Sequence, residues 1–196
     1  AGMGLDDLTF LDLYSCFPSA VEIACQEMGI AEDDARGLTV TGGLPYFGGP
    51  GNNYVTHSIA EMMQKVRSKP GSYGMITANG NYVTKQSAGI YSTTPTEKPF
   101  KPKDPKVYQA KIDADKGPAT TEAPSGKATI ETYEVMHDRK GPSYAILFGR
   151  QPDGTRFIAN TPDDTALLEE MTKRDYLGVD GAVATNDDGV AIFKPA

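Results

Sequence analysis

The stretch LTVTGGLPYFGGPGNNYVTHSIAEMM (38–63) decides the fold of the first half of this chain. Its opening residues, LTVTGG (38–43), predict a strand, and a glycine-rich loop follows. From Tyr54 to about Arg67 the apolar residues recur at helical spacing, on the face formed by Ile59, Met62, Met63 and Val66. A strand, a loop and a helix in this order predict one unit of an α/β sheet.

The glycine-rich loop between that strand and that helix has the composition of a ligand-binding loop. Gly42-Gly43 and the run GGPG (48–51) allow a ligand to approach the backbone closely, and the amino end of the helix presents free N–H groups. The loop is not a phosphate-binding P-loop, because no Gly-Lys-Ser/Thr follows, and it is not a dinucleotide fingerprint. Taken alone, it predicts a binding loop and a plain tight turn with equal force.

The rest of the first half repeats the alternation of strand and helix. TFLDLY (9–14) predicts a strand, and a helix is predicted to begin near Pro18 and to end at Gly29. Two further strands are predicted over 72–80 and 87–95. The order β-α-β-α-β-β requires crossover connections, so we expect an α/β unit with a mixed sheet and helices packed on it.

A run rich in proline and lysine, KPFKPKDPK (98–106), separates the two halves of the sequence. Such a composition predicts a stiff and solvated linker. We therefore expect one domain over 1–96, a linker over 97–106 and a second domain over 107–196. A long surface loop inside one domain is the alternative, which is disfavoured because unstructured loops of this length are uncommon in compact domains.

The second half contains short apolar runs separated by turn signals, and one helix. The sequence TPDD (161–164) predicts a helix start with a hydroxyl cap, and the helix is expected to continue to about Arg174. Strands are predicted over 107–113, 128–137, 143–150, 155–160, 178–185 and 190–194. This pattern predicts a small antiparallel β-barrel of the OB-like type with one helix.

Composition excludes several classes of partner. The 19 Lys and Arg residues against 26 Asp and Glu give a net charge of −7, so nucleic acid is not an expected partner. Phe148, Phe157 and Phe193 occupy alternating strand positions, which predicts core packing rather than base stacking. No apolar run reaches the ~18 residues of a membrane span. Two cysteines and no visible secretory signal make the cytosol the expected compartment.

Cys16 and His57 are the one nucleophile–base pair that the sequence offers. Cys16 follows a predicted strand and precedes a predicted helix, whose amino end would stabilise a thiolate. Both residues could instead be packing residues, which is the favoured interpretation because Cys is among the most buried types. With two His, two Cys and no metal-ligand spacing between them, we expect no metal site.

The order of these pieces resembles the carboxyl-terminal part of a thiolase, in the sterol-carrier-protein branch often labelled acetyl-CoA acetyltransferase. The matching segments are LDLYSCFPSAVEIACQEMGI (11–30), the stretch 38–63, and the strand–loop–strand over 72–95. The linker and barrel are similar to those of thiolase-like proteins with an extra carboxyl-terminal barrel, a match that includes ANTPDD (159–164). The resemblance implies a partial thiolase-like sheet over about 5–95, followed by a barrel domain.

The resemblance also implies which positions would carry chemistry, and several of them differ here. Tyr14 stands where thiolases place the Asn or His of an oxyanion hole, and Gly49 stands where they place the His that activates the nucleophilic thiol. The loop 78–89 has no second cysteine, and the acyl-accepting cysteine belongs to the amino-terminal half, which this chain lacks. We expect no thiolase reaction, because losing an acid/base residue alone costs about 10²–10⁴ in rate.

Two classes of function stay open at this point, so whether the chain is an enzyme stays open too. One is an acyl-CoA-handling enzyme of the acyltransferase type in lipid metabolism, with Tyr14, Cys16 and His57 as candidate catalytic residues. The other is a non-catalytic module that binds acyl-CoA, or a partner through its barrel. Both take a coenzyme A thioester as ligand and no other cofactor. The expected protein partner is the missing amino-terminal thiolase half or another thiolase-like chain. The expected substrate-binding residues are Tyr14, Phe17, Gly48, Gly49, Pro50, Asn79, Gly80 and Lys85.

Overall fold

The chain divides into two compact units, Ala1–Pro102 and Lys103–Ala196, in a computed structural model that describes residues 2–97, 99 and 101–196. Part of the expected linker over 97–106, at Lys98 and Phe100, lies outside the described residues. Among the residues that are described, no helix is both long and apolar enough to cross a membrane.

The first unit is a three-stranded mixed sheet with a helix on each face. Its strands are β1 (Phe10–Asp12), β2 (Tyr73–Gly80) and β3 (Lys85–Ser92), in the order β1-β2-β3. β1 is parallel to β2, and β3 is antiparallel to β2. The helices are α1 (Pro18–Met28), the single turn α2 (Leu44–Phe47) and α3 (Tyr54–Ser68), with 3-10 turns at Leu5–Asp7 and Gly51–Asn53. The predicted mixed α/β sheet is confirmed.

Alternation along β1 supplies the two layers of this core. Leu11 and Leu13 point to the face covered by α1, where Cys25 and Met75 join them. Phe10 points to the opposite face, against α3 and its buried Met62 and Val66. On that side α3 lies close to the sheet at Gly74, where a Cβ atom would stand 2.1 Å from the sulfur of Met62.

The strand predicted over 38–43 is wrong, because the backbone there finds its partner in a side chain. Asp12 is 1% exposed, and its Oδ2 accepts hydrogen bonds from the Val40 amide (2.9 Å), the Thr41 amide (3.1 Å) and the Thr41 hydroxyl (3.0 Å). The Leu13 amide donates to the Leu38 carbonyl, and the Gly43 carbonyl accepts from the Tyr46 and Phe47 amides of the following helical turn, so none of these bonds forms a strand ladder. The segment therefore follows β1 without forming a strand of the sheet.

The second unit opens with a helix where a strand was predicted. Residues predicted as the strand 107–113 belong to α4 (Pro105–Ala114), which also takes in the last residues of the expected linker. The Asp104 side chain accepts from the Lys106 amide, and Pro105 occupies the first helical turn. A side-chain cap followed by proline is a helix start, and it overrides the strand preference of the residues that follow.

Five strands close into a barrel in the order β4-β5-β6-β8-β7. They are β4 (Gly126–Asp138), β5 (Gly141–Arg150), β6 (Arg156–Asn160), β7 (Asp180–Thr185) and β8 (Ala191–Pro195). β6 and β8 pair in parallel, and the other pairings are antiparallel. The predicted small barrel is confirmed, with five strands instead of six.

The barrel core shows which predicted aromatic residues point inward. Phe157 and Phe193 are buried, as predicted. Phe148 is 46% exposed, which corrects its assignment to the core. It lies on β5 between the buried Leu147 and Gly149, so the pleat sends its side chain outward.

The helix predicted to begin at TPDD (161–164) is shorter than expected and has a different N-cap residue. It is α5 (Thr165–Met171), and the Asp164 side chain accepts from the Ala166 and Leu167 amides. Thr161, the predicted cap, is buried at the end of β6, where its amide donates to the Ala145 carbonyl. Asp164 satisfies the orphan amides of the first turn, which leaves no role in capping for Thr161.

Replacing Asp12 is expected to weaken the first unit strongly. Asp12→Ala leaves two backbone amides and one hydroxyl without their acceptor, which costs about 3 kcal/mol or more. Asp12→Asn keeps an oxygen that accepts at the same place, so its cost is smaller. Urea unfolding measures the loss, and hydrogen exchange at Val40 and Thr41 localises it. Equal damage from both variants would show that charge, not hydrogen-bond acceptance, is what matters.

Asp34 should make stability fall in acid. Hydrogen bonds from the Arg36 side chain and backbone amide lower the pKa of Asp34 to about 2, below the usual value of about 3.9 in an unfolded chain. The stabilisation is fully present above pH ~4 and is lost as the pH falls towards 2, because the unfolded chain takes up the proton first.

Thermal unfolding midpoints between pH 5 and pH 2 test this. Wild type should lose more stability over that range than Asp34→Asn, while the exposed neighbour Asp33→Asn should follow wild type. Parallel curves for wild type and Asp34→Asn would contradict the assignment.

Candidate functional site

The end of β1 and the end of β2 meet at the residues expected to carry chemistry. The Tyr14 amide donates to the Thr77 hydroxyl of β2 at 2.9 Å. Two residues further along the chain, Cys16 lies beside Asn79, near the carboxyl end of β2. Parallel pairing of β1 and β2 places their carboxyl ends at one edge of the sheet, where open α/β sheets bind ligands.

Cys16 and Asn79 are in direct contact. The Cys16 thiol can donate to Asn79 Oδ1 at 3.8 Å, and Asn79 Nδ2 can donate to the sulfur at 3.6 Å. Both residues are partly buried. A thiol and an amide so placed can each offer a hydrogen to one ligand oxygen. These residues are separated by 63 positions in the sequence, and only the sheet brings them together.

Aromatic rings form the wall behind Cys16. The rings of Tyr14 and Tyr54 meet edge to face with centroids 5.5 Å apart, and Phe47 stacks on Tyr54 at 6.4 Å. Burial raises the pKa of Tyr14, and the nearby Cys16 and Tyr54 raise it further. A phenol is protonated at neutral pH with or without this shift, so Tyr14 can donate a hydrogen bond to a ligand.

Gly49 lies tightly against the side chains of Leu44 and Tyr54. A Cβ atom there would stand 3.0 Å from Leu44 Cδ1, 3.0 Å from Tyr54 Cδ2 and 3.1 Å from Tyr54 Cβ. Tyr54 is 1% exposed, and its hydroxyl lies 2.7 Å from the Thr41 hydroxyl. The ring that occupies this space is therefore held at both its base and its tip.

His57 does not join Cys16 in the described structure. Its ring lies 6.1 Å from that of Tyr54, on the first turns of α3, and no hydrogen bond links it to Cys16. The Tyr54 ring packs against both Tyr14 and His57, so the neighbour of His57 at this site is an aromatic ring.

The remaining predicted binding residues lie around this edge on exposed segments. Phe17 precedes α1 and is 62% exposed. Gly48 and Pro50 flank Gly49 between α2 and α3. Gly80 ends β2 and pairs with Lys85 at the start of β3. The turn between them holds Asn81, Tyr82 and Val83 at positive φ, an unusual conformation for three successive residues with side chains. It leaves the Tyr82 ring almost fully exposed.

Sequence reasoning missed the residues that hold the site in place. Asp12, Thr41 and Tyr54 form one continuous chain of hydrogen bonds from β1 to α3. The available signal was an acidic residue inside the apolar strand FLDL, since Asp is almost never fully buried unless it is paired.

No group of three or more His, Cys, Asp or Glu side chains in the described part of the chain is placed to hold a metal ion.

Comparison with known proteins gives two matches, one for the second unit and one for the whole chain. Residues 108–189 match the family model of the thiolase-like protein type 1 additional C-terminal domain. All of the chain aligns with the crystal structure of a monomeric SCP2-thiolase-like protein type 1 from Mycobacterium smegmatis, at 42% identity and a TM-score of 0.88. The chain belongs to the thiolase-like superfamily, with an additional carboxyl-terminal domain.

This thiolase-like chain spans 42% of the length of that solved relative. No curated protein matches it significantly. The predicted resemblance is confirmed at the level of the superfamily and of the additional domain.

Placing a histidine at position 49 is expected to destabilise the thiolase-like unit. Gly49→His drives its side chain into Leu44 and Tyr54, and such overpacking costs about 1–3 kcal/mol. Gly80→His is the matched control, because a Cβ atom at Gly80 meets no heavy atom within 4 Å. Urea unfolding of the two variants measures the difference. Equal stability would show that Tyr54 moves aside freely.

Proposed function

We propose that this chain is part of an acyl-CoA-handling protein that binds a coenzyme A thioester without running the thiolase reaction. The observation that carries the proposal is the packing at Gly49. Thiolases require an imidazole at the corresponding position, by the resemblance described above. Here Leu44 and Tyr54 lie against the space next to the Gly49 Cα atom, and glycine itself supplies no base.

Three groups near the end of β1 are suited to hold a thioester. The Tyr14 phenol, the Cys16 thiol and the Asn79 amide can each donate a hydrogen bond to a carbonyl oxygen. Donors aimed at one oxygen also stabilise an oxyanion, so a transferase or lyase reaction different from thiolysis is the catalytic form of the proposal.

The proposed protein partner is suggested by the share of the solved relative's length that this chain covers, which is 42%. The M. smegmatis protein is a longer chain, and we propose that an amino-terminal thiolase segment, or another thiolase-like chain, covers the first unit. The second candidate function is a non-catalytic module whose barrel makes that contact. The cytosol stays the proposed compartment for either form.

Alkylation of the two cysteines tests the site directly. Acetyl-CoA or hexanoyl-CoA should slow the reaction of Cys16 with iodoacetamide, because the thioester would lie over its sulfur. Cys25 is the internal control. It is 2% exposed and burial raises the pKa of its thiol, so it reacts slowly with or without ligand. Peptide mass spectrometry separates the two rates.

ATP at the same concentration controls for charge and for the nucleotide. Protection of Cys16 by acyl-CoA and not by ATP supports the proposal, and no protection at a saturating concentration refutes it. Thiolysis of acetoacetyl-CoA is measured beside it. Turnover at the rate of a working thiolase would refute the absence of the thiolase reaction.

A further inference from the structure

The outer face of the barrel carries a cleft that the thiolase-like site does not explain. The cleft has a volume of about 1490 Å³ and lies wholly within the second unit. Its lining includes two arginines, two glutamates and two exposed apolar side chains, namely Arg150, Arg156, Glu122, Glu131, Phe148 and Ile158. We call this the arginine cleft.

Strand register places the two arginines side by side. Arg150 of β5 pairs directly with Arg156 of β6, and Thr129 of β4 pairs with Arg150 on its other side. Like charges directly opposite each other on neighbouring strands are destabilising. The arrangement therefore needs an anion close by.

The Glu131 carboxylate provides one negative charge beside the two arginines, and a β-bulge directs its side chain towards them. The register between β4 and β5 shifts between Ile130 and Thr132, so Glu131 leaves the regular ladder. Arg156 bonds both Glu131 oxygens, through Nε at 2.6 Å and Nη2 at 3.2 Å. Arg150 reaches the same carboxyl group only with Nε, at 3.3 Å. Bulges commonly re-aim a side chain next to a functional site.

In the described part of the chain, Arg150 contacts Glu131 through Nε alone, which leaves its terminal guanidinium nitrogens free to donate to a ligand. Within the ranges 2–97, 99 and 101–196, its two terminal nitrogens have no hydrogen-bond acceptor, and its side chain is 54% exposed. Two guanidinium groups share the Glu131 carboxylate, and Glu122 also lines the cleft, so it is the free terminal nitrogens of Arg150, rather than a net charge, that offer a place for an anion. A free guanidinium fork is the side-chain group best suited to bind a carboxylate or a phosphate.

The apolar half of the cleft adjoins this cation. Phe148 lies two residues before Arg150 on the same face of β5, and it pairs with Ile158 of β6. Phe148 is 46% exposed and Ile158 is 58% exposed. An exposed aromatic–aliphatic pair beside an unsatisfied cation fits a ligand with an apolar body and an anionic end.

We propose that the arginine cleft binds a small amphipathic anion, a carboxylate or phosphate attached to an apolar chain, with its head on Arg150 and its body on Phe148 and Ile158. The charge balance favours a small ligand over a nucleic acid, because a protein of net charge −7 repels a polyanion along most of its surface. This inference is independent of the thioester site, since every residue it uses belongs to the second unit.

NMR titration of the chain with octanoate and with octyl phosphate tests the site and identifies the head group. Saturable shifts should cluster at residues 129–132, 148–150 and 156–158. Tighter binding of octanoate indicates a fatty-acid-like ligand, and tighter binding of octyl phosphate indicates a phosphate ester; either supports the cleft. The neutral 1-octanol should bind at least about tenfold more weakly, because it lacks the charge-assisted hydrogen bond.

Two variants separate the halves of the cleft. Arg150→Gln should weaken binding of the anion about tenfold while leaving the Arg156–Glu131 pair in place. Ile158→Thr should weaken it about fivefold through lost apolar contact. Arg139→Gln is the matched control, because it removes the same charge at the exposed β4–β5 turn, outside the cleft.

Four results would overturn the proposal. They are shifts located elsewhere, equal binding of 1-octanol, equal effects of Arg150→Gln and Arg139→Gln, and no saturable binding of either anion. The NMR spectrum of each variant reports whether it is folded, so a loss of binding cannot be confused with a loss of structure.

Discussion

One buried carboxyl group organises the first unit. Asp12 Oδ2 receives three hydrogen bonds from residues 40 and 41, and the Thr41 hydroxyl passes the connection on to Tyr54. A buried polar group is costly unless it is fully paired, so these partners must adopt one arrangement. The path of the loop from β1 to α3 follows from that requirement.

The same chain of hydrogen bonds sets the shape of the candidate site. Tyr54 is held at its hydroxyl by Thr41, and its ring then fills the space beside Gly49 and packs against Tyr14. Burial, and the neighbouring Cys16 and Tyr54, raise the pKa of the Tyr14 phenol. Tyr54 therefore has two roles at this edge of the sheet. It supports the loop through Thr41, and its ring limits which side chains the loop can accommodate at position 49.

Local patterns in the sequence were enough for elements whose signals are local. The helix α1 has proline at its start and Gly29 at its end, and α3 has a regular apolar face, so both were predictable. The segment 38–43 was not, because its partner is the side chain of Asp12, 28 residues away. The sequence predicted a strand over 107–113 because the apolar residues there have strand-like spacing. The structure has the helix α4 instead, since the Asp104 side chain caps a helix start.

The sequence could predict which residues belong to the candidate site and to the barrel core, but not which side chains they contact. The glycine run around Gly49 marks the loop, yet nothing in the sequence says that Tyr54 closes it. Cys16 and Asn79 each belong to a predicted segment, and only the parallel pairing of β1 with β2 joins them. Phe148 was assigned to the core because alternation identifies two faces of a strand and does not say which one is buried.

The packing around Gly49 also limits how such a protein can change over time. A histidine introduced at position 49 would be crowded by the Tyr54 side chain. Replacing Tyr54 by a smaller residue would instead remove the hydrogen bond to the Thr41 hydroxyl and create a cavity in the core. Each of these two substitutions is therefore expected to lower stability. A histidine at position 49 would need a compensating change at position 54, so the two positions constrain each other.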